Sequence, residues 1–282
     1  MKIFTFDATM LNNIACARKG FYYHELNLRP AGQNKTYFDY GDLMHYMLAA
    51  FYRSTMAADT KVTARDKAVA AGQEYYPSLD LPVEDCEACI KNFLAYVNYW
   101  QNDKWVVKKV EEPFAVEVYK DESFVWADDD TGLTLVAEGK VDLEVLTENG
   151  NLTLVDHKTP SRNKDPEKLG NQFPLYCYAF SYGSMIINHV GKQKTLKPEE
   201  KFHRYLRFYS QEWLAEFMQE TILKIIRWLK DSEQGIYLAD FTTCDKFDGC
   251  IYRPICEQAA SMRNSIIKTY FKQGEAWSPW NK

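Results

Sequence analysis

Residues 139–146 read Gly-Lys-Val-Asp-Leu-Glu-Val-Leu, residues 147–151 read Thr-Glu-Asn-Gly-Asn, and residues 152–159 read Leu-Thr-Leu-Val-Asp-His-Lys-Thr. The first and third runs are alternating and rich in β-branched residues, as strands with one buried face are. An Asn-Gly pair between two such runs favours a tight hairpin turn, because both residues tolerate positive φ. The stretch therefore predicts a β-hairpin that turns at Asn149 and Gly150.

The predicted hairpin brings three charged side chains together. Its first strand carries Asp142, and its second strand carries Asp156 and Lys158. Residues two apart on a strand share a face, so Asp156 and Lys158 point the same way while His157 points oppositely. Two carboxylates and an ammonium group suit hard-cation chemistry: the carboxylates bind Mg²⁺ or Mn²⁺, and the lysine orients water or meets developing negative charge.

The order of these residues resembles that of the PD-(D/E)XK nuclease superfamily, in particular its RecB-like exonuclease branch. The matching segments are Gly139-Lys140-Val141-Asp142, Asp156-His157-Lys158-Thr159, and Gln172 with Tyr176. An Asp-X-Lys triplet alone is a weak signal, whereas the ordered set with a hairpin between the aspartates is more specific. The resemblance implies an α/β fold, a restriction-endonuclease-like mixed sheet flanked by helices.

The resemblance also implies the catalytic residues. They would be Asp142, Asp156, Lys158, Gln172 and Tyr176. Lys158 would position the attacking water or stabilise the pentavalent phosphate, and Gln172 and Tyr176 would orient the metal site or the strand being cut. Gln172 and Tyr176 have the i, i+4 spacing of one helix face, provided that Pro174 lies in the first turn of the helix.

A histidine adds to the predicted metal site. His45 ends the segment Gly41-Asp42-Leu43-Met44-His45, inside a helix predicted from Tyr37 to Arg53. A lone histidine on an apolar helix is more often a core or surface residue than a ligand. The resemblance favours the ligand, because RecB-like nucleases use the histidine of a similar Gly-X-X-X-His segment. It implies a Mg²⁺ or Mn²⁺ site formed by His45, Asp142, Asp156 and the backbone carbonyl of His157, and an imidazole ligand favours Mn²⁺.

The seven cysteines indicate thiols or metal ligands rather than a disulfide framework. Cys244, Cys250 and Cys256 recur at six-residue intervals, a spacing that fits a zinc ribbon poorly. With Cys16 they supply the four thiolates of a [4Fe–4S] cluster, and this order resembles the cluster-bearing RecB-like nucleases. A buried cysteine in a short amphipathic helix is the alternative reading of Cys16. Cys86 and Cys89 are predicted to be ordinary helix residues.

The remaining pattern predicts the elements around the hairpin. Strands are expected at Trp105–Tyr119, Ser123–Ala127 and His203–Tyr209, and Ser210 is expected to cap a long amphipathic helix. Two helices are expected between Lys61 and Trp100. On the helix Tyr37–Arg53, the predicted core face consists of Phe38, Leu43, Met44, Met47, Leu48 and Phe51. We expect a single domain over residues 1–282, with a helical insertion at about 54–104 and a cysteine-cluster segment at about 241–260.

Composition limits the class of protein. The chain has 282 residues, of which 46% are hydrophobic, so a packed core is expected. No signal-peptide pattern and no apolar stretch of about 20 residues is seen, which predicts a soluble, intracellular, cytoplasmic protein without membrane contact. The net charge of −5 counts against nucleic-acid binding. Four basic groups could nevertheless line one groove: Arg18-Lys19, Lys108-Lys109, Arg162 with Lys164 and Lys168, and Arg204 with Arg207.

Together these observations predict a metal-dependent DNA nuclease. The resemblance implies an exonuclease that acts on DNA ends, single-stranded or duplex, with single-stranded ends preferred. One alternative is a catalytically inactive, nuclease-like module that binds DNA or a protein. Another is a metal-dependent hydrolase for a different substrate, with the cysteines merely buried.

Overall fold

A computed structural model describes residues 1–32, 36–161, 170–193, 195–245, 249–274 and 278–280. The strands are β1 (Lys2–Phe6), β2 (Leu28–Pro30), β3 (Val106–Val125), β4 (Thr131–Leu146), β5 (Leu152–Lys158), β6 (Ser184–Val190), β7 (Phe202–Phe208) and β8 (Phe271–Gln273). The helices are α1 (Ala8–Ile14), α2 (Ala17–Gly20), α3 (Thr36–Met56), α4 (Lys61–Tyr75), α5 (Val83–Tyr99), α6 (Gln172–Phe180), α7 (Pro198–Lys201), α8 (Gln211–Glu233), α9 (Arg253–Cys256) and α10 (Ala260–Tyr270).

A mixed sheet forms the centre of the molecule. Its strands run in the order β1-β4-β5-β6-β7, and β3 pairs with β4 as well. The pairs β1–β4 and β5–β6 are parallel, while β3–β4, β4–β5 and β6–β7 are antiparallel. Helices flank this sheet, so the predicted α/β fold class is confirmed.

The hairpin that the sequence predicts joins β4 to β5. Its turn is closed by the Gly150 N–H, which donates to the Thr147 carbonyl at 2.9 Å, and Gly150 has φ 77°. In β5, Leu154 packs in one hydrophobic core and Val155 in the other, as alternation along a strand requires. One hairpin thus carries residues to both faces of the sheet.

The sheet forks along one edge of β4. On this edge β1 pairs with the first half of β4 as far as Phe6 with Ala137, and β5 pairs with the second half from Val155 with Leu143. On the opposite edge β3 pairs with β4 along its length. Residues 138–142 therefore lie between two ladders that diverge, and we call this segment the fork. Asp142 lies within it.

Two helical layers cover the sheet. Helices α6 and α8 pack on one face through Leu175, Leu214 and Met218. Helices α3, α4 and α5 pack on the other face, so the segment predicted as an insertion at about 54–104 contributes to a core, through residues such as Phe93. Burying apolar area of this kind is the main favourable term in folding. Among the helices of the described ranges, none is long and apolar enough to cross a membrane.

Helix α3 differs from the prediction at one position. Leu43, Met44, Met47 and Leu48 are fully buried, but Phe38 is 56% exposed, so its assignment to the core face was wrong. Tyr40 takes its place at 8% exposure. The reason is helical phase, because positions 40, 43, 44, 47, 48 and 51 follow the i, i+3, i+4 spacing of one face and position 38 does not.

Strand β3 is the second difference. The sequence predicts separate strands at Trp105–Tyr119 and Ser123–Ala127, but one strand runs from Val106 to Val125. The register shifts between Glu117 and Tyr119 and again between Asp121 and Val125, and the Asp121 carboxylate accepts from the Ser123 N–H at 2.8 Å. These bulges break the alternation that signals a strand without ending it.

Other local predictions agree with the structure. The Ser210 hydroxyl caps α8 by accepting from the Trp213 N–H at 3.1 Å, and Pro174 lies in the first turn of α6. Cys86 and Cys89 are buried residues of α5. Two segments that are far apart in sequence meet where β2 pairs with β8. Beside this pair, Tyr22, Tyr252 and Phe271 form a small hydrophobic cluster against Cys250 and Cys256.

Candidate active site

Strand β5 and helix α6 bring four of the predicted catalytic residues together. The Lys158 ammonium lies 2.8 Å from Asp156 Oδ2 and donates to Gln172 Oε1 at 2.9 Å. The Gln172 amide in turn donates to Asp156 Oδ1 at 3.0 Å and to the Tyr176 hydroxyl at 3.2 Å. Four of the predicted residues therefore form one hydrogen-bonded group, and Gln172 fixes the position of Lys158.

His45 and Asp142 form the neighbouring part of the site. His45 Nδ1 of α3 lies 3.5 Å from Asp142 Oδ2 in the fork. The same carboxylate oxygen accepts from the backbone N–H of His157 at 2.6 Å, which ties β5 to the fork beyond their regular pairing. A Cβ at Gly41 would lie 3.1 Å from the Thr159 hydroxyl. The glycine of the Gly-X-X-X-His segment thus allows α3 to pack close to the end of β5.

Glu111 is a site residue that the sequence reasoning missed. His45, Glu111 and Asp142 each offer one ligand atom, and these atoms all lie within 4.8 Å of one another. Glu111 stands opposite Asp142, between the pairs Val110 with Leu143 and Glu112 with Val141. Its φ is 53°, so the backbone is distorted at this point. The proline that follows in Glu-Glu-Pro was a usable signal, because proline inside a strand marks an irregularity.

The charges of the site favour a cation between the carboxylates. Burial alone would raise the pKa of Asp142, but His45 outweighs it and holds that pKa well below its usual range. Burial raises the pKa of Asp156 to about 6 against the opposing effect of Lys158, and the charge of Asp142 adds to the rise. A carboxylate such as Asp156, whose ionisation is disfavoured by burial and by a neighbouring carboxylate, is stabilised as an anion by a divalent ion.

Burial and the nearby carboxylates also act in opposite directions on the pKa of His45. Burial would lower the pKa of His45, but Asp142 and then Asp156 outweigh it, so this pKa lies above its usual value. A metal ion binds the neutral imidazole. Protons and the metal therefore compete for His45, and metal affinity should fall as the solution becomes more acidic.

His157 points away from Lys158, as the alternation predicts. Its Nδ1 lies 2.8 Å from Asn188 Nδ2, and its ring stacks on Tyr52 with centroids 5.7 Å apart. Asn188 also donates to the Tyr96 hydroxyl at 3.0 Å. Burial lowers the pKa of His157 to about 3, so its ring is neutral and serves packing. The metal contact predicted for this residue concerns its backbone carbonyl and stays a prediction.

A glycine permits the close packing of Tyr176. A Cβ at Gly139 would lie 2.7 Å from the Phe114 ring and 3.1 Å from the Tyr176 ring. These distances are shorter than ordinary carbon contacts. Gly139 in the fork therefore lets α6 bring Tyr176 and Gln172 against the sheet.

The prediction that Arg204 and Arg207 line a basic groove is wrong. Arg204 is sandwiched between Trp100 and Trp105, with its guanidinium 3.7 Å and 3.5 Å from the ring centroids, and it pairs with Asp103 at 2.6 Å. Arg207 is only 8% exposed. Both serve the packing of β7, because burying an arginine side chain requires such partners. Arg162, Lys164 and Lys168 lie outside the described residues.

The four predicted cluster cysteines converge beside the pairing of β2 with β8. The Asp240 N–H donates to Cys16 Sγ at 3.3 Å, the Cys250 N–H donates to the Cys244 carbonyl at 2.7 Å, and Cys250 and Cys256 pack against one hydrophobic cluster. All seven cysteines are free thiols. Burial raises the pKa of Cys244, and the charges of Cys250 and Cys16 raise it further. The pKa of Cys256 is raised by burial first, and Cys250 and Cys16 again contribute. Thiols close enough to affect one another's ionisation form a donor set that fits a thiolate-ligated cluster.

The comparison with family models agrees with the fold. Residues 12–257 match the family model of the PD-(D/E)XK nuclease superfamily. The chain therefore belongs to this superfamily and has the fold of a metal-dependent nuclease that acts on DNA.

The search of the curated proteins found no match. Among solved structures, the crystal structure of SSO0001 is similar over 67% of this chain and 85% of its own, with 14% sequence identity and a TM-score of 0.29. A similarity this low adds no argument about function.

Replacing the site carboxylates should weaken metal binding. Asp142→Asn is expected to abolish Mn²⁺ binding detectable by calorimetry, because it removes an anionic ligand. Glu111→Gln and His45→Ala are expected to weaken binding about 10–100-fold, the range found when groups that support a metal site are lost.

Glu112→Gln is the matched control for Glu111→Gln. Glu112 is the next residue of β3 and lies 3.6 Å from Lys109, away from the trio. The Glu112→Gln variant should bind Mn²⁺ with the affinity of the parent. If Glu111→Gln bound Mn²⁺ with unchanged affinity, Glu111 would not be a metal ligand. If His45→Ala did so, His45 would be a packing residue rather than a ligand.

Proposed function

We propose that this chain is an exonuclease of the RecB-like branch that hydrolyses single-stranded DNA from its ends with the help of Mn²⁺ or Mg²⁺. One observation carries the proposal: Lys158, Asp156 and Gln172 are joined by direct contacts beside the His45 and Asp142 pair. The preference for single-stranded ends is supported by the resemblance of the Gly41–His45 and Gln172–Tyr176 segments to RecB-like exonucleases. A second candidate function has no observation in its favour.

The residues of the site have distinct tasks in this reaction. A divalent ion held by Asp142, Asp156, His45 and Glu111 would supply positive charge to the phosphate and acidify a water molecule. Lys158 directs its ammonium group at the attacking water or at the oxygen charge that develops on the phosphate. Gln172 holds Lys158 in place by accepting its hydrogen bond. Tyr176 keeps its proton at neutral pH, because burial raises its pKa well above the usual range.

The cysteine group completes the proposal. Cys16, Cys244, Cys250 and Cys256 hold a [4Fe–4S] cluster whose task is structural. This is supported by their convergence and by their place beside the pairing of β2 with β8. The cluster would join a segment near the start of the chain to a segment near its end.

The activity is tested with DNA that differs only in its ends. Purified protein is incubated with Mn²⁺ and either linear or covalently closed circular single strands of one sequence, or with the linear duplex. We expect linear single strands to be degraded fastest and circles to persist, because an exonuclease requires an end.

Cleavage of the circles at the linear rate would contradict the exonuclease assignment. DNA binding in Ca²⁺ without any cleavage in Mn²⁺ would instead identify an inactive binding module.

A further inference from the structure

A cavity lies beside the catalytic group, in the opening where β1 leaves β4. Its volume is about 640 Å³, within the range of ligand-binding pockets, roughly 300–1,000 Å³. Gln172 and Tyr176 line it together with Glu138 of the fork. Since Gln172 also contacts Asp156 and Lys158, the cavity adjoins the position where a phosphate would be cleaved.

One wall of the cavity is a stack of planar side chains. The Arg29 guanidinium lies 3.7 Å from the centroid of the Tyr23 ring, and the Tyr23 and His24 rings meet at 4.7 Å in an edge arrangement. The backbone carbonyls of Tyr23 and Leu28 accept from Arg29 at 3.1 Å and 2.9 Å, so the guanidinium plane is fixed. Aromatic rings and arginine planes are the surfaces on which proteins stack unpaired nucleobases.

The other walls exclude phosphate. Asp7 and Glu138 both line the cavity. Burial raises the pKa of Asp7, and burial followed by the charge of Asp7 raises the pKa of Glu138. Carboxylates repel a phosphate that no metal ion accompanies, but they accept hydrogen bonds from the amino groups of bases and from the free hydroxyl of a terminal deoxyribose. His24 adds a neutral imidazole, because burial and then Arg29 lower its pKa to about 4.

We propose that this cavity binds the base and sugar of a nucleotide next to the cleaved bond, stacking the base against the wall formed by Tyr23, His24 and Arg29. The inference rests on the proposed function, since it assigns the cavity to the same DNA strand. The metal site then holds the phosphate and the cavity holds the nucleoside. A base that is paired in a duplex is not available for such stacking, so the cavity gives a physical reason for a preference for single strands.

The parent protein provides the first arm of the test. Single-stranded oligonucleotides are prepared with one abasic nucleotide at each position in turn along the strand. Affinity is measured in Ca²⁺ by fluorescence anisotropy, so that no cleavage is needed. We expect one position near the end to weaken binding about tenfold, the scale of losing one base–aromatic stack. Equal affinity for every abasic oligonucleotide would overturn the inference.

Two matched variants provide the second arm. Thr5 lines the cavity, and Ile3 is an exposed residue two positions earlier on β1 that does not line it, so both side chains lie on one face of the strand. Thr5→Trp should fill the cavity, weaken binding of the intact oligonucleotide about tenfold and remove the effect of the sensitive abasic position. Ile3→Trp should bind like the parent. Equal behaviour of the two variants would contradict the assignment.

The test separates the two proposals. Protein that shows the abasic pattern in Ca²⁺ but cleaves nothing in Mn²⁺ would contradict the proposed function and support the cavity assignment. Protein that degrades linear single strands yet shows no abasic pattern would overturn the cavity assignment alone.

Discussion

Lys158→Ala is expected to slow DNA cleavage about 10²–10³-fold, the usual effect of removing one preorganised group that stabilises a transition state. The ammonium group contacts Asp156 and Gln172, so its loss changes the site without opening a core. Affinity for DNA in Ca²⁺ should remain close to that of the parent, because a contact made mainly in the transition state adds little to ground-state binding. Single-turnover cleavage at saturating Mn²⁺ measures the effect.

Lys120→Ala is the matched control for this variant. Lys120 is an exposed strand lysine that also pairs with a carboxylate, Glu122, at 3.0 Å, but it lies outside the site. Exposed ion pairs of this kind contribute little to stability, and the variant should cleave like the parent. Near-normal turnover by Lys158→Ala would refute the role assigned to that lysine.

Replacing any one of Cys16, Cys244, Cys250 and Cys256 with alanine should cost most of the stability of the fold. A crosslink between Cys16 and Cys244 closes a loop of more than 200 residues, and by the chain-entropy model of disulfides such a closure contributes about 5 kcal/mol. This is comparable to the whole stability of a typical domain, about 5–15 kcal/mol. Solubility, iron content and thermal melting after anaerobic purification measure the loss, and activity should fall with them.

Cys86→Ala and Cys177→Ala are the controls. Both residues are buried cysteines that pack in the two main cores, so their replacement costs packing but leaves iron content unchanged. Anaerobically purified protein without iron would contradict the cluster. A quadruple Cys→Ala variant that melts at the temperature of the parent would contradict its structural task.

Local sequence patterns carried most of the successful predictions. The hairpin at Asn149 and Gly150 follows from residues that are neighbours in sequence, and so do the α8 cap at Ser210 and the shared face of Gln172 and Tyr176. Asp156 and Lys158 were placed correctly relative to each other because alternation along one strand fixes their direction. The relative positions of residues within one helix, strand or hairpin can therefore be predicted from the sequence.

The missed features depend on contacts between distant segments. Glu111 joins the site because β3 pairs with β4 in one register and has a positive φ at that residue. The proline at position 113 signals an irregular strand, but the register that places Glu111 opposite Asp142 is not local. The fork exists because β1 ends its pairing at Ala137, a parallel pairing between segments more than 100 residues apart. The burial of Arg204 depends on two tryptophans from other elements. The periodicity of a single segment does not indicate which distant segment it will contact.

The most direct test of the central claim is the position of the metal ion. Crystals grown with Mn²⁺ give an anomalous difference peak at the metal, and the proposed site predicts one within about 2.0–2.6 Å of carboxylate oxygens of both Asp142 and Asp156, with the His45 imidazole as a further ligand. Lys158 should lie beside that ion without binding it. A crystal at saturating Mn²⁺ with no peak between these carboxylates, or with a peak only elsewhere, would contradict the account.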